Sequence, residues 1–320
     1  MSLITDSLLA QDVVRYSSKI NQKGTSDLYG TRTRFVTNAG QYGDTLAGFS
    51  QMGPILYGYE GFDMPVLFTQ KGIIHLQRRV KQPDEEERER MEKKGMTKEE
   101  IEKKVKVTDR AISIEWLNAN PNCKVSCSDS APGYNTYGYL QAVAYGFKKI
   151  VYQDLYPGID LEYFFVDATR PGFEYQLVVH PGADLSLVKF NVGGDVKSIK
   201  KDRHGNLIVK SDITGFKESL PISFYQSTGR SNTNQNIASS FTVNDHTVSF
   251  YVNSTINKSE TFIIDPFVSS TSNLTGGNAG KAKDVDFDYA GNVFVTGGGD
   301  GNIYKMAKFD ANGVLQWTFS

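Results

Sequence analysis

The chain is 320 residues long, 39% hydrophobic and 22% charged, with a formal net charge of −1. That length and apolar content suffice for one large or two ordinary cored domains and exclude a disordered chain. A near-neutral balance without a basic, aromatic-interleaved stripe gives no grip on a phosphate backbone, and no apolar run reaches the ~18 residues of a membrane span, so neither nucleic acid nor a membrane span is expected.

Residues 1–34 are polar and weakly periodic and read as a loosely attached arm. The first ten lack a basic n-region and carry Asp6, so they are not a signal peptide as written. Strand signals begin at Arg34-Phe35-Val36. Up to Val80, short apolar runs (Ile55-Leu-Tyr57, Val66-Leu-Phe68, Gly72-Ile-Ile-His-Leu76) alternate with turn residues at β-meander spacing.

Residues 83–105 break the pattern, because Asp84-Glu-Glu-Glu-Arg-Glu-Arg-Met-Glu-Lys-Lys94 is dense in charge and poor in β-formers. Two helices are expected. Asp84 with Glu87, and Thr97 with Glu100, form capping boxes, and Gly95 can end the first helix. Glu89/Lys93 stands at i, i+4 with the acid first, the favoured order. The narrow apolar stripe favours a solvated insertion over a partner-docking arm.

Sheet grammar resumes at Arg110-Ala-Ile-Ser-Ile-Glu-Trp116. The only two cysteines follow in Asn122-Cys-Lys-Val-Ser-Cys127. Read as a loop, this stretch would let their Cα atoms approach the roughly 4.4–6.8 Å of a disulfide, so a Cys123–Cys127 bridge and two free thiols both stand as readings. Zinc is disfavoured, because no second cysteine pair exists and the four histidines are scattered. Tyr134, Tyr137, Tyr139 and Tyr145 come next, followed by the strand candidate Phe147-Lys-Lys-Ile-Val-Tyr152. Clustered tyrosines with polar tips suit a glycan-stacking surface, for which Tyr134, Tyr137 and Tyr139 are the candidates; the blander reading is the wet face of a sheet.

The strongest period-two patterns follow. Ile159, Leu161, Tyr163 and Phe165 alternate with Asp160 and Glu162, and Phe173, Tyr175, Leu177 and Val179 alternate with Glu174 and Gln176. Further strand candidates are Val188-Lys-Phe-Asn-Val192, Leu207-Ile-Val-Lys210, Phe241-Thr-Val243, Thr247-Val-Ser-Phe-Tyr-Val252 and Thr261-Phe-Ile-Ile264. Short connections without crossover helices imply antiparallel pairing. In the turn Asp202-Arg-His-Gly205-Asn206, Gly supplies φ > 0 and Asp bonds back to the backbone. Asp265-Pro266 closes a sandwich-like domain over residues 35–267, and the Ser/Thr/Asn/Gly-rich residues 268–281 read as a linker.

Residues 282–320 have the length and turn chemistry of one four-stranded β-propeller blade. A lone blade cannot close a ring, so the chain reads as a piece of a longer protein. Asp284, Asp286 and Asp288 alternate onto one strand face and supply hard oxygens, a candidate calcium site; the alternative is a turn role for Asp288 and solvent for the other two. No other cofactor is expected. The class expected is therefore all-β: an antiparallel, sandwich-like front region with a charged helical insertion, then a single incomplete blade.

Val285, Asp288, Gly291, Asn292, Val293, Phe294, Val295, Thr296, Gly297, Lys308, Asp310, Gly313 and Trp317 resemble an SBBP-type propeller repeat, with Phe294 in place of the usual Tyr. The front region, through Phe35-Val-Thr-Asn38, Trp116-Leu-Asn-Ala-Asn120-Pro121, Tyr156-Pro157-Gly158-Ile-Asp160, His180-Pro181-Gly182-Ala-Asp184 and Ile263-Ile-Asp265-Pro266, is similar to the domain preceding such repeats in secreted, gliding-motility-associated, type IX-exported surface proteins. The resemblance implies a secreted or cell-surface location and lends no catalytic residue. No Gly-x-Ser-x-Gly elbow, His-Glu-x-x-His or phosphate loop occurs. The expectation is a non-enzymatic structural or adhesion module whose partners are surface glycans or other cell-envelope proteins. The alternative is a carbohydrate-active enzyme or glycan-binding module using a carboxylate pair or the tyrosine-rich surface.

Overall fold

The computed structural model describes residues 33–62, 64–81, 83–102, 104, 106–137, 140, 142–165, 172–227, 236–270, 282–287, 293–297, 306–309 and 315–319. It forms two compact units, divided between Ser270 and Thr271.

The first unit opens with β1 (Phe35–Thr37), β2 (Ile55–Tyr59), β3 (Val66–Thr69), β4 (Gly72–Lys81) and β5 (Lys106–Trp116). It continues with β6 (Lys124–Thr136), β7 (Val143–Tyr156), β8 (Ile159–Phe164), β9 (Phe173–Val179) and β10 (Lys189–Gly194). Next come β11 (Ser198–Lys201), β12 (Leu207–Lys210), β13 (Gly215–Glu218) and β14 (Ile222–Tyr225). Last are β15 (Ile237–Asn244), β16 (Thr247–Val252), β17 (Phe262–Asp265) and β18 (Phe267–Ser270). All pairings are antiparallel and join these strands into one sheet, as the short connections imply.

The sheet wraps back on itself. Followed strand to strand, the pairing runs β1–β2–β3–β4–β5–β10–β16–β15–β14–β17–β9–β8–β7 and returns to β1. The two ends meet at β7, where β1 takes Gly146–Phe147 and β8 takes Lys149–Tyr156 along one edge. The opposite edge of β7 pairs with β6. The β6–β7 ribbon therefore stands at the seam where the walls join.

The enclosed core is dominated by aromatic rings, which accounts for the Phe and Tyr content. Phe35 meets Phe68 at 5.0 Å and 71°, Tyr59 meets Phe173 at 5.3 Å and 79°, and Phe68 meets Tyr163 at 5.0 Å and 80°, the edge-to-face geometry that ring quadrupoles favour. Tyrosine serves in such a core only if its hydroxyl is satisfied. Tyr152 donates to the Thr69 carbonyl at 2.7 Å and Tyr156 to that of Leu117 at 2.8 Å, while the Tyr59 hydroxyl accepts from the Gly172 amide at 2.8 Å.

Period-two patterning is realised most cleanly in β8, where Ile159, Leu161 and Tyr163 are buried and Asp160 and Glu162 half-exposed. β9 departs from it: its inner residues are buried as expected, but so are Glu174 and Val178, because Val178 packs with Phe224 and Ile263 in a second small core. Five strands go unanticipated by sequence: β6, β11, β13, β14 and β18. The loop expected around the cysteines is β6, and β18 extends the first unit into the stretch expected to be linker.

The insertion forms helices Glu85–Lys93 and Lys98–Glu102, each capped as its sequence dictates. Asp84 accepts from the Glu87 amide at 2.9 Å and Glu87 reaches back to the Asp84 amide at 3.3 Å; Thr97 and Glu100 repeat the exchange. Glu89 and Lys93 stand 3.5 Å apart on an exposed face. Ile101 is buried, an apolar anchor in an otherwise solvated hairpin. In the Asp202 turn, Gly205 has φ +82° and the Asp202 carboxylate accepts from the amides of His204 and Asn206 at 2.8 and 3.0 Å.

The second unit is a four-stranded antiparallel meander: β19 (Ala282–Phe287), β20 (Val293–Gly297), β21 (Met306–Phe309) and β22 (Leu315–Phe319). Lys308 sits opposite Phe294 across the β20–β21 pair, its Nζ 5.4 Å from the ring centroid in cation–π range.

Candidate functional site

The sequence-singled tyrosines fall on the β6–β7 ribbon and separate by face. Tyr134 pairs directly with Tyr145, and Thr136 with Val143. Direct cross-strand partners project from one side of a sheet. This side is open to solvent: Tyr134 is 63% exposed, Tyr145 54% and Val143 37%. On the opposite side Ala144 and Gly146 are buried. Arg34 lies across Gly146 so closely that a Cβ there would come within 2.7 Å of its Cδ. Its Nη2 donates to Asn135 Oδ1 at 2.7 Å, clamping the ribbon from beneath.

Tyr137 belongs to that inner side. It is buried, and its hydroxyl donates to Glu60 Oε1 at 3.3 Å, which also accepts from Tyr42 at 2.9 Å. Burial, aided by the Glu60 charge, holds this phenol well above its ordinary pKa. The candidate glycan set is thus corrected: Tyr134 is displayed, Tyr137 is structural, and Tyr139 lies outside the described residues. Tyr145 joins Tyr134 instead, a pairing that only the hairpin register reveals.

Among the described residues, β6 pairs only with β7, so its outer edge is open. The edge carries the features that blunt strand addition: Pro132, a register shift between Ser130 and Tyr134, and Asp129 at φ +57°. Cys123 is buried just before β6 and Cys127 lies half-buried on it; both are free thiols, which corrects the disulfide reading. Four residues along an extended chain span roughly 13 Å, about twice the Cα separation that a disulfide tolerates. Burial first, then the Asp160 and Asp154 carboxylates, push the Cys123 thiol up to about 11. The Cys127 thiol instead meets the Tyr57 hydroxyl.

A cleft of about 250 Å³ opens between the β9–β10 and β16–β17 links, with an apolar floor that includes Val179, Ile256 and Phe262. At its rim His180 Nε2 lies 2.9 Å from Asp160 Oδ2, while Asp160 Oδ1 accepts from the Asp154 amide at 2.7 Å. The His180 amide donates to the Gly158 carbonyl at 2.9 Å, and the Gly182 amide to that of Lys258 at 2.9 Å. The fold thereby brings together two stretches noted separately in sequence, Pro157-Gly158-Ile-Asp160 and His180-Pro-Gly-Ala-Asp184, as a clip tying three turns. The cleft's carboxylates are engaged locally: Asp184 accepts from the Ser186 amide at 3.0 Å, and Glu260 from Ser227 at 2.7 Å and Asn257 at 2.6 Å.

Other acids are interior. Glu174, Glu218 and Asp265 are 2%, 1% and 3% exposed. Glu218 Oε2 accepts from the Tyr175 hydroxyl at 2.8 Å, whereas Oε1 is buried with no hydrogen-bond partner among the described residues. Burial pushes its carboxyl up to about 7, opposed by the Tyr175 hydrogen bond. His75 is buried too, stacked on Phe216 at 4.1 Å and 12°, and burial lowers it to about 3. The burial of the two strand glutamates is not foreseen from sequence: Glu218 lies on the unanticipated β13, and Glu174 stands at a position of β9 that alternation places in solvent.

Among the described residues no group of three or more His, Cys, Asp or Glu is arranged to hold a metal ion. Asp284 and Asp286 lie two apart on β19, and Asp288 of that candidate calcium set lies outside the described residues. No helix among the described residues is long and apolar enough to cross a membrane.

Residues 35–267 match the model of a family described as a domain of unknown function, DUF7948, and the chain belongs to that family. No curated protein and no solved structure gives a significant match.

Proposed function

We propose that this member of the DUF7948 family is a non-enzymatic structural and adhesion module of a secreted or cell-surface protein. In this reading the first unit is a sandwich-like platform and the second a blade of an SBBP-type propeller. The resemblance to gliding-associated, type IX-exported proteins supplies the setting. One observation carries the adhesive part: a tyrosine-bearing ribbon face, open to solvent, is held at the seam of a closed, densely packed sheet. Large aromatic rings exposed on a rigid two-stranded element suit contact with a partner, because little freedom is lost when they bind. The four-stranded meander of the second unit, with cross-strand contacts such as Lys308 over Phe294, supports the blade reading.

The test is retention of protein-coated beads on cell-envelope material, comparing the native chain with Tyr134→Ala/Tyr145→Ala. Beads should be retained by the native protein and lost with the double variant. Equal retention of both would refute a role for the ribbon. Hydrolysis of a polysaccharide by the purified protein, abolished by one carboxylate substitution, would instead place it among carbohydrate-active enzymes.

A further inference from the structure

The ribbon's chemistry narrows what it can hold. From Ser130 to Phe147 the sequence contains no Asp, Glu, Lys, Arg or His, in a chain that is 22% charged. The outward side presents Tyr134, Thr136, Val143 and Tyr145: two phenol rings, one further hydroxyl and an aliphatic patch. An anionic polymer would find no counter-charge there, and a cationic one no carboxylate. A protein partner would draw specificity from complementary charge as well as apolar anchors, and the stretch from Ser130 to Phe147 supplies none of that charge.

Resting on the adhesion reading, we infer that this face binds an internal stretch of a neutral polysaccharide. Pyranose rings pair an apolar C–H face with a rim of hydroxyls. The tyrosine rings meet the first by stacking, and the tyrosine and Thr136 hydroxyls meet the second by hydrogen bonds. Among the described residues no strand pairs with the outer edge of β6, so no further strand walls the site on that side. A chain can therefore run across it, whereas a chain terminus or a free monosaccharide would leave most of its own surface in water. Neutrality of the face also keeps the interaction insensitive to salt, since no counterions are released on binding.

Affinity electrophoresis in native gels containing hydroxyethylcellulose, galactomannan or pullulan, with alginate and polygalacturonate as anionic comparisons, tests this directly. At least one neutral polymer should retard the protein, equally in low and high salt. Each ring-to-Ala change should weaken retardation roughly two- to tenfold, in line with the worth of an aromatic contact. Tyr134→Phe/Tyr145→Phe, which keeps the rings, should retain most binding. Tyr251→Ala, on an exposed tyrosine of β16 away from the ribbon, should change nothing. Thermal melts of all variants should coincide, because the substituted side chains lie in solvent. Retardation by anionic polymers alone, or by none, or retardation that survives the double Ala variant, overturns the inference. If beads still adhere through Tyr134 and Tyr145 while no neutral polymer retards the protein, the glycan assignment falls and the adhesion reading stands. If adhesion ignores the ribbon, the adhesion reading falls on its own evidence.

Discussion

Glu218 is the sharpest handle on the energetics of the first unit. It lies on β13 and is 1% exposed. Its hydrogen bond from Tyr175 ties β13 to β9, and its other oxygen is buried with no hydrogen-bond partner among the described residues. Burial disfavours the charged form, raising the carboxyl from 4.5 to about 7 in the folded protein. A folded-state pKa above the unfolded one means that the native state holds the proton more tightly. The stability this confers is complete below about pH 4.5 and is lost as pH rises through 7. The shift corresponds to about 3 kcal/mol at ~1.4 kcal/mol per pH unit. Glu218→Gln keeps the shape and an acceptor for Tyr175 but never ionises. The variant and the native protein should be similarly stable near pH 4.5, and the variant should lead by about 3 kcal/mol at pH 8. For a unit of this size that gap is roughly 6–12 °C in Tm. Urea or thermal unfolding of both proteins from pH 4.5 to 8.5 measures it, and taking the difference cancels every other titrating group. A gap that does not change with pH, or one that favours the native protein as pH rises, would refute a buried, proton-holding Glu218.

His75 should behave in the opposite sense. Its folded pKa is depressed to about 3, so the stability of keeping it neutral is complete above about 6.5 and is lost as pH falls toward 3; His75→Phe should gain on the native protein by up to about 5 kcal/mol over that window in the same unfolding series. Both thiols should react with a thiol reagent, Cys127 first and Cys123 only slowly because it is buried and its thiol is pushed up to about 11; a reductant should leave Tm unchanged, and a mass two hydrogens light would refute this. Gly146→Ala should destabilise by roughly 1–3 kcal/mol through overpacking against Arg34, measured by urea unfolding, while Gly95→Ala, which meets no atom within 4 Å but holds φ +81°, should cost only the backbone strain.

What was legible in sequence was whatever one-sided burial imposes. β8 alternates cleanly because one face meets the core and the other meets water, and the helical insertion declared itself through two capping boxes that the structure realises bond for bond. β6 was hidden for the converse reason. With both faces largely solvated, nothing forces its sequence into period two, and the Pro132, Gly133 and Asp129 that protect an open edge are the same residues that signal a loop. That concealment also misassigned the tyrosines. Spacing along the chain groups Tyr134, Tyr137 and Tyr139, whereas the hairpin register sets Tyr134 beside Tyr145 and sends Tyr137 inward to Glu60. β9 misled in the other direction: Glu174 sits where alternation predicts solvent, yet it is buried, as is Val178, which packs with Phe224 and Ile263. Local pattern reports how many faces of a strand are buried only when the answer is one. Where the sheet closes on itself, both faces are dry and acids such as Glu174 and Glu218 are enclosed; where the ribbon leaves the seam, its outer side reaches water and tyrosine can be displayed there. The interior acids and the display surface are thus two consequences of a single topological fact, the meeting of β1 and β8 on one edge of β7.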